Sequence, residues 1–305
     1  MSNSSKWPAL PPETWRETLP TLHMWTQIVG KIVLKLTPLT NHFWNVAMRV
    51  TPQGLATPAI PYLGRTFTMS FDFLEQRLVI ACSDGAARSI ALEPRTVAEF
   101  YRLVMQALHE LGIEVRIWTL PSEVSNPIRF EDDHTHVSYD PAAAAAFWRI
   151  LNCITPLFEQ FRARFLGKCS PVHFFWGSFD LAVTRFSGQR APARPGTDVI
   201  TREAYSHAVI SHGFWPGGGS VAEPAFYAYA VPQPAGFKEA AVRPAAAQYN
   251  TGFSEFILPY SAVAAALSPE TDLSAFLNDT YEAAAALADW DRSELERAPL
   301  PGIDG

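Results

Sequence analysis

Residues 167–188 read GKCSPVHFFWGSFDLAVTRFSG, and no other stretch of the chain sets so many chemically able side chains in an apolar run. His173 and Asp180 lie inside it, and Glu203 and His207 follow it four residues apart. On a helix that spacing puts two side chains on one face about a turn apart, near enough to share an ion. Adding the strand histidine gives His173, Glu203 and His207, two imidazoles and a carboxylate, a donor set suited to a divalent metal (Fe, Mn or Zn) with positions left open for water or substrate. The same residues also suit chemistry without metal. Either imidazole would act as general acid or base, oriented by Asp180 or Glu203. Trp176, Tyr205, Phe214 and Trp215 would wall off water, and Trp176, Tyr205, Trp215 and Arg185 would hold a ligand. The plain alternative is a hydrogen-bonded strand histidine beside a solvated turn, since no HExxH spacing is present.

Whether His173 and Asp180 can meet depends on Gly177. Residues 171–186 are aromatic and β-branched and read as strand, but a strand has typically about 5–6 residues, so a break at the glycine is expected. Strict alternation puts His173 and Asp180 on opposite faces, whereas a one-residue bulge at Gly177 brings them to one face.

Other polar groups carry less. His23, Gln27 and Lys31 recur every four residues on one face of a helix. They read either as a row facing a cleft, with Lys31 and Lys168 neutralising an anionic substrate, or as a solvated face with Lys31 near a helix C-terminus. His42, at the start of a strand, is an outside candidate for that cleft. The acidic run EDDHTH at 131–136 reads as a water-facing loop. A phosphate-binding loop is excluded at 167–169, because GxxxxGK[ST] requires glycine where Arg162 stands and Ser or Thr where Cys169 stands.

The elements that must position these groups follow from periodicity. A helix is expected around residues 18–31, from Leu22, Trp25, Ile28 and Val29. Short strands follow at IVLKL, FWNVAMRV, RTFTMSFDF, RLVIACS and RSIAL. Thr96 and Glu99 form a capping box opening a second helix that ends near Gly112, and IEVRIW closes the half as a strand. Asp140-Pro141 opens the next helix, Pro156 would kink it, and the run containing residue 173 comes next. A short helical turn from Thr201, a GFWPGGG loop, strands AFYAYAV and EFILPY, and a helix from Ser268-Pro269 complete the chain. The fold class is α+β: two α-β4-α-like halves, residues 1–135 and 136–305, related by internal duplication and packed as one unit, with mainly antiparallel sheets and flanking helices. The duplication aligns Gly30-Lys31 with Gly167-Lys168 and residues 44–48 with 179–183.

Composition bounds the rest. With 48% hydrophobic residues and 18% charged, the chain can bury a large core. A net charge of -6 without Lys or Arg runs excludes a backbone-binding nucleic-acid protein. No apolar leader and no uncharged 18-residue apolar window occurs, which implies no membrane span and a cytoplasmic location. Three scattered cysteines, Cys82, Cys153 and Cys169, fit reduced thiols.

The stretches at 167–188, 203–218 (EAYSHAVISHGFWPGG), 22–31 (LHMWTQIVGK) and 113–118 (IEVRIW) resemble a bacterial domain family of unknown function, over Trp7 to about Trp290. That resemblance implies no activity, cofactor or catalytic residue. The residues themselves point to a small-molecule enzyme with a polar, metal-capable site in an aromatic-lined cleft between the halves. The rival expectation is a non-catalytic module binding an apolar or aromatic small-molecule acid, with Arg185, Arg116 or Lys31 on the acid group. Neither reading fixes an oligomeric state.

Overall fold

Helix α1 (Pro12–Leu36) opens with a proline in its first turn, where a missing N–H costs nothing, and runs through Pro20. It is longer at both ends than its expected 18–31 span. IVLKL is not a strand but its last turns, because the apolar period of Leu22, Trp25, Ile28 and Val29 continues into Ile32 and Val33, all fully buried. Thr37 ends it: its N–H and Oγ1 both donate to Val33 O, and the following Pro38 holds it extended. The computed structural model describes residues 7–193, 195–218 and 221–298. By their contacts these fall into two compact units that interleave along the chain. One comprises Pro8–Asn152 and His173–Asp180; the other has Trp7, Cys153–Val172 and the chain from Leu181 onward.

In the first unit, α1 is followed by a 3-10 turn at Asn41–Phe43 and six strands: β1 (Arg49–Val50), β2 (Gly54–Ala56), β3 (Ile60–Tyr62), β4 (Arg65–Asp72), β5 (Arg77–Cys82) and β6 (Ala87–Ala91). Every pairing is antiparallel, in the order β1-β2-β4-β5-β6 with β3 also on β4. FWNVAMRV is strand only at its end, because His42 and Phe43 sit at φ 57° and 58° and turn the chain. Alternate residues Phe67, Met69 and Phe71 pair with Cys82, Ile80 and Leu78 and form the buried face. Helix α2 (Val97–Glu110) adds Phe100, stacked on Trp25 of α1 with ring centroids 4.5 Å apart. Thr96 caps α2, accepting from Glu99 N at 3.1 Å.

IEVRIW is not a strand: Ile113 is buried and Trp118 exposed as alternation requires, yet residues 113–118 join no ladder. The acidic run that follows faces water at Glu131, Asp132, His134 and Thr135, as expected, while Asp133 turns inward and ties the run to α2. Asp133 is fully buried and accepts the N–H groups of Thr135 and His136, with His136 Nδ1 at 2.7 Å, while Asp133 O and His136 O accept from the first turn of α2.

Helix α3 (Pro141–Ala163) starts as expected, with Asp140 Oδ1 accepting from Ala143 N at 2.8 Å, and it carries Pro156 in its interior. The expected long strand then proves to be two. β7 (His173–Phe175) gives way to a turn over residues 176–179, with Phe179 at φ 58°, before β8 (Asp180–Arg190) begins. Gly177 therefore lies in a reversal and not in a bulge.

The second unit continues with α4 (Val199–Ala204), β9 (His207–Trp215), β10 (Ala225–Val231), β11 (Gln248–Asn250), β12 (Glu255–Pro259), α5 (Tyr260–Ala264), α6 (Pro269–Leu287) and α7 (Arg292–Leu295). Strands β11-β12-β10-β9-β8 lie side by side, all antiparallel. One face carries Leu181, Val183 and Arg185, paired with Phe214, His212 and Ile210; Phe226 and Ala228 continue it under α5 and α6. Gly213 to Trp215 extend β9 and are not a loop, and Gly219 of GFWPGGG lies outside the described residues. The fold is thus α+β with two antiparallel sheets and flanking helices. The letter match between halves does not follow the elements, since Gly30-Lys31 lie within α1 whereas Gly167-Lys168 follow the end of α3. Among the described residues no helix is long and apolar enough to cross a membrane.

Candidate functional site

The polar row of α1 is the most unusual chemistry in the first unit. His23, Gln27 and Lys31, one turn apart, each hold a loop. His23 Nε2 lies 3.0 Å from Trp176 O and 2.9 Å from Gly177 O; carbonyls only accept, so Nε2 bears the proton. Burial lowers its pKa to about 4, more than the two carbonyl bonds raise it, and the ring is neutral at pH 7. Gln27 is fully buried and clamps the backbone of Ser122, donating to its O and accepting from its N, both at 2.8 Å.

Lys31 completes the row. It is only 5% exposed, its Nζ lies 3.0 Å from Ser122 Oγ, and the Trp176 ring centroid is 5.8 Å away. Among the described residues no carboxylate comes within ion-pair distance of it. Desolvation without a counter-charge lowers its pKa from 10.5 to about 8. About a tenth of the amine is therefore unprotonated at pH 7, and the Nζ–H donates to the Ser122 hydroxyl oxygen.

The surroundings hold that pair in place. The indole of Trp176 donates to Val46 O at 3.0 Å, and it packs so close to Gly30 that a Cβ there would lie 2.2 Å from the ring. Ser122 is partly exposed and precedes Glu123, whose φ of 57° is a backbone conformation that L side chains rarely adopt. Such outliers concentrate at functional sites.

The residues singled out in the sequence are arranged differently. In the first unit, His173 is buried with its ring edge-on to Phe175 at 4.4 Å, and Asp180 accepts the Ser178 hydroxyl. In the second unit Glu203 is in the last turn of α4, but the helix ends at Ala204 and His207 opens β9, so the two do not share a helical face. His207 Nδ1 lies 3.1 Å from Ser206 Oγ. Among the described residues no group of three or more His, Cys, Asp or Glu side chains could hold a metal ion, so His173, Glu203 and His207 do not form one. Tyr205 and Trp215 do join one aromatic run, Tyr205 OH donating to Tyr229 OH at 3.2 Å and Trp215 lying 4.3 Å from Tyr227.

Arg185 is not available to a ligand. Its guanidinium carbon is 3.5 Å from the centroid of Phe161 and 4.1 Å from that of Tyr281, and it donates to Phe161 O. Burial lowers its pKa to about 10, which leaves it cationic inside an aromatic box. Its neighbour on the same sheet face, His212, is fully buried and hydrogen-bonded to Thr280 Oγ1 at 2.9 Å. Thr280 spends its own proton on Phe276 O, so His212 is the donor, and burial followed by the Arg185 charge holds its pKa well below the usual value.

Residues 7–297 match the profile of a family of unknown function, DUF5996. The chain belongs to that family. No curated protein and no solved structure matches it. Membership in DUF5996 brings no reaction with it, so the chemistry rests on the residues alone. Ser122 is the one that sequence reasoning missed: it stands in a stretch that reads as plain loop, and no motif marks it. Its only sequence signal lies 91 residues away, in the four-residue period of the α1 row.

Proposed function

We propose that this DUF5996 member is a small-molecule enzyme of the acyl-transfer or hydrolase class, with Ser122 as nucleophile and Lys31 as its base. The observation that carries the reading is a buried amine 3.0 Å from a partly exposed hydroxyl, with no carboxylate within ion-pair distance among the described residues. As Oγ attacks an ester, thioester or amide carbonyl, its proton passes to Nζ. The resulting ammonium returns that proton to the leaving group as the old bond breaks, and water repeats the sequence to free the enzyme. Gln27 supports the reading by fixing both backbone groups of Ser122, and Trp176 by keeping water from the amine. A lysine serving only to tie down a loop would bear the cost of a buried charge that an uncharged side chain avoids.

The test is labelling with a fluorophosphonate probe followed by peptide mass mapping. The adduct is expected at Ser122, formed with a midpoint near pH 8, absent in Ser122→Ala, and at least about 10-fold slower in Lys31→Met. Folded protein that stays unlabelled from pH 6 to 10, or labels equally fast without Lys31, would sink the proposal.

A further inference from the structure

Strand β8 leaves its partner at one place in the second unit. Phe186 pairs with Val209 and Arg190 with His207, so β8 advances four residues while β9 advances two. The surplus forms a bulge around Gly188, at φ 85°, where a side chain would meet nothing within 4 Å. Bulges splay strands and occur beside binding sites. Here the splayed end borders a cavity of about 220 Å3 walled by Ile210, Val231, Pro232 and Trp290, with Gln189 and Arg190 at its polar side. Arg190 is exposed, and among the described residues it takes part in no ion pair.

We propose that this cavity is a binding site for a small carboxylic acid with a compact apolar body. The apolar walls would cover the body, and the free guanidinium of Arg190 would take the carboxylate in the two-pronged geometry that arginine favours. The volume lies below the roughly 300 Å3 at which drug-sized sites begin, which sets the ligand at a single ring or short branched chain. The polar side offers a cation and an amide and no carboxylate, so an amine or a neutral amide of the same shape lacks a charged partner. The site shares no residue with the Ser122–Lys31 pair and stands independently of it.

The probe is benzoate, followed by backbone amide NMR of the full chain, with benzamide as the neutral isostere. Saturable shifts are expected at the amides of residues 208–210, 230 and 231, with Kd about 1 mM or tighter. Binding should weaken at least fivefold for benzamide and in Arg190→Gln, vanish in the cavity-filling variant Ala230→Leu, and persist in Lys31→Met. No shift at 10 mM benzoate, or equal binding of benzoate and benzamide, overturns the proposal. Should Ala230→Leu not fold, Arg190→Gln decides alone, because an exposed side chain can be exchanged without disturbing the core.

Discussion

At the scale of single residues, two buried bases make stability depend on pH in windows that can be stated beforehand. Lys31 holds its proton less tightly folded than unfolded, at about 8 against 10.5. The unfolded chain therefore carries the extra proton between those values, and stability rises with pH across that window, its cost being complete below pH 8. The whole shift corresponds to about 3 kcal/mol, reduced by residual solvation and by the bond to Ser122. Lys31→Met is thus expected to stabilise the fold at pH 7 by about 1–2 kcal/mol in urea titrations and to remove the rise above pH 8, while slowing probe labelling at least about 10-fold. Gain of stability with loss of reactivity is the signature of a functional residue. His23 behaves at the acid end. Its folded pKa of about 4 lies below the ordinary imidazole value of 6.5, so stability falls as pH drops through that interval by up to about 1.4 kcal/mol per pH unit. His23→Gln keeps a donor for the carbonyls of residues 176 and 177 and should flatten that slope by one proton; His212, shifted in the same direction, accounts for part of what remains.

At the scale of elements, α1 is both scaffold and chemistry, and Gly30 shows how the two are joined. Alanine within an exposed helix is worth about 1 kcal/mol over glycine. At Gly30 the sign should reverse, because the new Cβ would overlap the Trp176 indole at 2.2 Å, and overpacking of that kind costs about 1–3 kcal/mol. Gly30→Ala is expected to lower the urea midpoint and to slow labelling of Ser122; a stabilised variant would mean that Trp176 moves aside freely. The same elements show what could be read from the chain beforehand. The caps at Thr96 and Asp140 and the strands at β4 and β5 are legible, because local spacing and composition dictate them. IVLKL reads as strand because β-branched residues bias that way, while their phase with Trp25 and Ile28, which decides the matter, shows only over a longer window. In the 171–186 run Gly177 marks the break, but nothing in the letters tells a one-residue bulge from the full turn at residues 176–179. His23, Gln27 and Lys31 were visible as a row, but what they hold lies about 90 to 150 residues away, beyond the reach of periodicity.

At the scale of the whole molecule, the chain passes from one compact unit to the other after residues 7, 152, 172 and 180. A piece cut from the first unit should therefore be incomplete. Residues 8–135 alone are expected to give no cooperative urea transition, whereas residues 8–180, which include β7 and the 176–179 turn, should give one. A cooperative transition for the shorter piece would mean that the carbonyls taken by His23 are dispensable. The interleaving also sets a timetable for synthesis. The last residues of the first unit, His173–Asp180, leave the ribosome 21–28 residues after Asn152. At roughly 5–20 residues per second that is a wait of about 1–6 s. During it the carbonyls that receive His23 do not yet exist outside the ribosome, and the Gly30 face of α1 has no indole to cover it. Nascent α1 is thus an apolar helix awaiting its cover, and a chaperone that binds such surfaces has its opportunity in those seconds.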